Sequence, residues 1–99
     1  MLDELKIYLQ ITWTDELTDR RVSDILKRAT AKLNRFAGTE IDFDANEDER
    51  QLLFDCCRYY YNHAGEHFEK DYGDELTALR NRYKVEAYLN EQSTEVSDV

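Results

Sequence analysis

The chain is 99 residues long, room for one domain. Its formal net charge of −9 excludes nucleic-acid binding by general attraction, because such a chain repels phosphates. Hydrophobic residues make up 41% and charged residues 35%: enough for a small core, with no apolar run near the roughly 20 residues of a membrane span.

There is no proline and there are only three glycines, Gly38, Gly65 and Gly73, so the main helix breakers are nearly absent. The opening MLDELKIYLQI carries acids and no basic segment, and does not read as a secretory signal. Leu2, Leu5, Tyr8 and Leu9 fall on one side of a short first helix over residues 2–10. The polar link TWTDELTD breaks that pattern, with Thr18 as the expected cap of a second helix over residues 19–37. Val22, Ile25, Leu26, Ala29, Leu33 and Phe36 form its apolar stripe, and Gly38 stands where a left-handed residue would end it.

The acidic stretch GTEIDFDANEDER follows, pinned to the core by Ile41 and Phe43. Asp44 or Asn46 is the expected cap of a third helix, with Glu47, Asp48 and Glu49 in its positive first turn. The stripe of Leu53, Cys57, Tyr60, Ala64 and Phe68 carries that helix through residue 68, while Leu52, Phe54, Cys56, Tyr59 and Tyr61 load its other faces. Such a helix needs more than one covering surface, and a partner subunit is one source of it. Gly73 and Asp74 mark a turn and a cap, and Leu76, Leu79, Tyr83 and Ala87 define a last helix over residues 75–90. These elements predict an all-α fold over residues 1–90, a small bundle of about four helices. It has a short N-terminal helix, two long antiparallel helices, a C-terminal helix and a flexible acidic tail over residues 91–99.

Two local patterns invite chemistry. His63, Glu66 and His67 spell H-x-x-E-H, a zinc-peptidase order, and on one helix the two histidines would lie a turn apart. Against a zinc site stand the small size of the chain, the glycine inside the motif, and Cys56 two turns away. The balance is against a metal. Cys56 and Cys57 are adjacent, too close in sequence for an ordinary disulfide, and read as reduced thiols. The tyrosine run RYYYN reads either as core or as subunit interface, with Tyr59 and Tyr61 the interface candidates.

Charge is segregated along the chain. Thr18 to Phe36 carries six basic residues (Arg20, Arg21, Lys27, Arg28, Lys32, Arg35) against two acids. Thr39 to Asp55 carries seven acids, among them Asp42, Asp44, Glu47, Asp48 and Glu49, against one base. The two segments are candidates for the opposite sides of a head-to-tail contact between subunits; the plainer reading is two solvated faces.

The layout of LDELKIYLQI, TWTDELTD, RVSDILKRATAKLNRFAG, RQLLFDCCRYYYNHAGE and ELTALRNRYKVEAYL resembles the small head–tail connector (adaptor or head-completion) proteins of tailed bacteriophages and prophages. The similarity covers residues 2 to about 90. The chain departs from that family's common pattern at NHAGEHFE, where a small or aliphatic residue is usual. The resemblance implies a structural protein and no enzyme, with no cofactor and no metal. It implies a homo-oligomeric ring of about a dozen copies, docked on the portal protein and receiving the tail or a stopper or tail-completion protein. DNA would be passing cargo only, no membrane is involved, and the location would be the virion, with assembly in the host cytoplasm. Leu89, Val96 and Val99 are then candidates for binding the portal. From another class, a small acidic helical regulator or inhibitor of a basic protein fits the charge equally.

Overall fold

The computed structural model describes the backbone of residues 1–97 and the side chains of residues 1–91. Five helices follow one another among them: α1 Leu2–Tyr8, α2 Glu16–Ala37, α3 Glu47–Tyr61, α4 Gly65–Asp71 and α5 Gly73–Ser97. No strand occurs among the described residues, so the chain is all-helical.

The start of α2 is set by Asp15, whose extended backbone (φ −151°, ψ 129°) makes it the N-cap. Thr18 therefore lies inside the first turn and caps nothing. Its hydroxyl donates to Asp15 Oδ2 at 2.9 Å and accepts the Trp13 indole N–H at 3.1 Å, tying the link to the helix. Val22, Ile25, Ala29 and Leu33 are buried along one face, and Gly38 ends the helix in the left-handed region at φ 77°. Ile41 and Phe43 are buried as anchors of the acidic loop, and Asn34 Oδ1 accepts the Ile41 N–H at 3.0 Å.

Asn46 is the N-cap of α3. The start of α2 meets the end of α3, where Arg21 donates to the Tyr61 carbonyl at 2.8 Å, so the two helices run antiparallel. Leu53, Phe54, Cys56 and Cys57 point to different sides of α3 and are all buried. Their cover comes from within the chain. α2 packs on one side, α4 on another, and α1 brings Tyr8 against Phe54 at 5.7 Å and donates its hydroxyl to Asp55.

The expected helix over residues 47–68 is broken at Asn62–Ala64. The Ala64 N–H reaches back to the Tyr59 carbonyl at 2.8 Å and the His63 N–H to the Tyr60 carbonyl at 3.1 Å, with His63 left-handed at φ 59°. That is the pair of bonds of a Schellman terminator, with histidine where glycine is usual. The same arrangement closes α1: Ile11 N–H to Lys6 carbonyl, Gln10 N–H to Ile7 carbonyl, and Gln10 at φ 62°. Neither residue is the glycine that marks such a stop most plainly, and an apolar spacing alone runs the helix straight through residue 63. After the bend, Phe68 on α4 is fully buried, edge-on to Tyr59 at 5.5 Å and stacked on Tyr72 at 4.7 Å.

α5 begins at Gly73 and continues to Ser97 rather than stopping near residue 90. Leu76 and Leu79 are buried and Tyr83 is half-buried. Beyond Tyr83 every described side chain is exposed, Ala87 included. The radius of gyration, 16.1 Å, exceeds the about 13 Å of a compact chain this long, and the longest axis is 58 Å. His63→Gly should raise the stability by about 0.5–1 kcal/mol, because glycine carries no penalty at a left-handed position. The measurement is the urea midpoint at unchanged m-value; a lowered midpoint would mean that the imidazole contributes more than the backbone gains.

Candidate functional site

The six basic residues of the second helix do not form one surface. Arg20, Arg21 and Arg28 line a groove of about 400 Å³ with Leu17, Tyr60 and His63, and Asp24 and Ile25 complete its wall. Steps of seven and four along α2 bring Arg21, Arg28 and Lys32 onto the flank that faces the end of α3. Arg21 is fixed there by the Tyr61 carbonyl at 2.8 Å and by the Tyr61 ring, 4.6 Å from its guanidinium. Arg28 lies over the Tyr60 ring at 5.0 Å. Tyr60 is itself held by the bend: a Cβ on Gly65 would fall 2.5 Å from its ring, so that position takes glycine for close approach. Arg20 makes only an exposed helical pair with Glu16 at 3.3 Å.

Farther along α2 the charges turn inward. Lys32 Nζ meets Glu69 Oε1 at 2.7 Å, and Arg35 and Arg80 stand beside the same carboxylate. The hydrogen bond to Glu69 raises the Lys32 pKa, and the same bond lowers that of Glu69. Lys27 is exposed, apart from either cluster.

The acids divide in the same way. Glu49 is buried and pairs with Arg82 at 3.1 Å, so its charge is met within the subunit. Asp42 Oδ1 accepts the N–H groups of Asp44 and Ala45, both at 3.2 Å, and so shapes the loop. Asp44, Glu47 and Asp48 are exposed and make no ion pair among the described residues. Tyr59 donates to Asp71 Oδ2 at 2.7 Å and is half-buried, as is Tyr61.

The H-x-x-E-H residues are not on one helix. His63 sits at the bend, its Nε2 3.4 Å from the Arg21 guanidinium, a neighbour that repels a cation. His67 lies on α4, 3.5 Å from Glu66. No group of three or more metal-ligating side chains occurs among the described residues. Cys56 and Cys57 are buried free thiols, and burial pushes both up to about 12, far from the thiolate a nucleophile needs.

Exposed apolar residues mark two further places. Ile7 (76% exposed) lies on α1, Trp13 on the link and Leu17 (71%) in the first turn of α2, on either side of the corner between the two helices. Val85 (58%), Tyr88 and Leu89 (59%) lie on the outer part of α5. Of the expected portal-binding residues, Leu89 is thus exposed, while the side chains of Val96 and Val99 lie outside the described residues. The signal for these patches is present in the sequence as apolar residues off the core stripe. Ile7 faces away from Leu2, Leu5 and Leu9, and Val85, Tyr88 and Leu89 fall outside the register of Leu76, Leu79 and Tyr83.

A scan against protein-family models, a search of curated proteins and a search of solved structures each return no match.

Removing the partner of the buried carboxylate is a direct test of its pairing. Arg82→Ala should lower stability by about 1–3 kcal/mol, less than for a fully buried pair because Arg82 is half-exposed. Adding Glu49→Leu should recover most of that loss in urea titrations, since no charge is then left buried.

Alkali offers a second measurement. Burial and the bond to Asp55 push Tyr8 up to about 12 from an ordinary 10.0, and the bond to Asp71 does the same for Tyr59. The two thiols rise to about 12 from 9.0. Groups with raised folded pKa values stabilise fully below their unfolded values, and that contribution is lost as pH climbs from 9.0 toward about 12. The melting temperature should therefore fall steadily over that window; a flat profile there would contradict the burial of Tyr8 and the two thiols and the bond from Tyr59 to Asp71.

Proposed function

We propose that this protein is a structural subunit of a phage or prophage head–tail connector, built for repeated self-contact and without enzymatic activity. In this role it docks on the portal, extends the DNA channel and receives the tail or a stopper. The observation that carries the reading is the placement of exposed apolar surface at two separated places on an elongated helical body. Ile7, Trp13 and Leu17 flank the corner between α1 and the start of α2. Val85, Tyr88 and Leu89 lie on the stretch of α5 that passes Ala37–Thr39, at the other end of α2. A helix of that length spans about 33 Å, so neither patch covers the other within one copy.

Isolated exposed apolar residues are ordinary, but grouped ones mark contacts. Two different patches suit a subunit that touches two different neighbours, such as a second copy on one side and a portal on the other. The resemblance in sequence layout points the same way, as does the net charge, since a ring of acidic subunits repels the phosphates of DNA passing through it.

A second reading, a small acidic regulator of a basic protein, is favoured by the exposed, unpaired Asp44, Glu47 and Asp48. Electron microscopy and mass measurement of concentrated protein, with and without a portal, separate the two. Rings of uniform diameter are expected, and Leu89→Asp should abolish attachment to the portal while leaving far-ultraviolet circular dichroism unchanged. A strict one-to-one complex with a basic protein, and no ring under either condition, would favour the regulator.

A further inference from the structure

We infer that the arginine-lined groove between α2 and the α3–α4 bend is a carboxylate-docking site, and that its occupant is the acidic 42–48 segment of a second copy of this chain. The inference rests on the self-assembling reading above and narrows it to one contact.

The groove is prepared for a planar anion. Arg21 and Arg28 are held from behind, the first by a carbonyl and a ring, the second by a ring, before any ligand arrives. A guanidinium carries five N–H donors, and Arg21 turns one Nη to the Tyr61 carbonyl and to His63 Nε2 at 3.4 Å, leaving its other nitrogens free of both. The remaining edges match a carboxylate in paired geometry. Arg20 also lines the groove but shares its charge with Glu16 in an exposed pair, and Asp24 is the one carboxylate on the groove wall. Holding the side chains in place lowers the entropy lost on binding.

The occupant is on the same chain and cannot reach the groove of its own copy. From Arg21 to Gly38 the helix rises about 25 Å, and the acidic segment begins only after that. The segment is preformed as well. Ile41 and Phe43 anchor it in the core, and the turn at Asp42 presents Asp44 and the first turn of α3 to solvent. Asp44, Glu47 and Asp48 have no cationic partner among the described residues, whereas Lys32 and Glu49 have theirs inside the subunit. The charges left over on one end of α2 are thus complementary to those left over at the other. A contact between unlike ends repeats from copy to copy, and it closes into a ring when its rotation allows.

Nucleic-acid phosphate is the less suitable occupant. The chain as a whole carries −9, and long-range repulsion opposes the approach of a polyanion, while a rigid acidic segment meets only the local positive field.

The test uses the full-length chain in sedimentation experiments at low and high salt. A groove variant, Arg21→Glu with Arg28→Glu, and a segment variant, Asp44→Lys with Asp48→Lys, are each expected to weaken self-association about tenfold or more. Mixing the two variants in equal amounts should restore it, since each then offers the other a matching end. High salt should weaken the unaltered chain in the same direction. Circular dichroism and melting curves show that both variants remain folded. Association of either variant alone at the strength of the unaltered chain overturns the inference, as does an unaltered chain that stays monomeric in low salt at high concentration. Rings seen on a portal in either of those cases leave the connector reading standing and remove only this contact.

Discussion

The arrangement of this protein depends on the left-handed bend at Asn62–Ala64. It ends α3 about two turns before the apolar spacing does, and it swings α4 back so that Phe68 enters the core between Tyr59 and Tyr72. The bend brings Gly65 under the Tyr60 ring, and Tyr60 in turn supports Arg28. It also leaves the Tyr61 carbonyl at the end of a helix, where it has no intrahelical donor and accepts from Arg21 instead. A straight α3 would engage that carbonyl in its own ladder and carry His63 away from Arg21. The cationic groove is therefore a product of one helix terminus, adopted by a residue that bears some strain there.

The bend also settles what covers α3. Its apolar residues face several directions, which in so short a chain suggested borrowed cover. A helix folded back on itself supplies that cover locally: α4 takes the Phe68 side, α2 the opposite one, and Tyr8 of α1 closes over Phe54. Apolar surface is left over elsewhere, at the α1–α2 corner and along outer α5. Cores of small domains are thin, and residues that match no core stripe have no place to go inside. Their positions at separated sites are what an extended body can offer to neighbours.

Much of this was legible in the sequence, for identifiable reasons. The α2 stripe, the left-handed Gly38 and the anchors Ile41 and Phe43 follow from periodicity and from residue types with one strong preference, while the cap of α3 was narrowed only to Asp44 or Asn46, of which Asn46 serves. The bend was not legible, because positive φ is uncommon for any residue but glycine: histidine is only relatively enriched there and glutamine is not, and the tertiary environment selects it. A helical projection puts Arg21, Arg28 and Lys32 on one flank and Arg20 and Lys27 away from it, but it does not say what each residue of the flank meets. All three face rings at the end of α3, Lys32 sharing the Tyr60 ring at 6.0 Å; what separates Lys32 from Arg21 and Arg28 is Glu69 of α4, which takes its charge. Glu49 reads as one more acid of a solvated loop, yet it is buried, and its partner Arg82 lies too far along the chain for any local pattern to reveal.

An acidic chain with a local basic groove resolves a conflict built into the proposed role. Subunits that all carry −9 repel one another, and apolar patches alone would have to overcome that repulsion without fixing an orientation. Placing a few oriented guanidinium groups at one end and unpaired carboxylates at the other converts part of the like-charge repulsion into a directional attraction. The same placement penalises end-to-end pairings of identical surfaces, groove on groove or segment on segment, by several kcal/mol when charges are brought into contact. Net charge then still governs what happens at a distance, keeping phosphate away, while local charge governs how copies meet. At physiological salt screening shortens both fields to about 8 Å, so two surfaces in contact feel mainly the charges directly opposite them, and orientation is set by the local arrangement more than by the total.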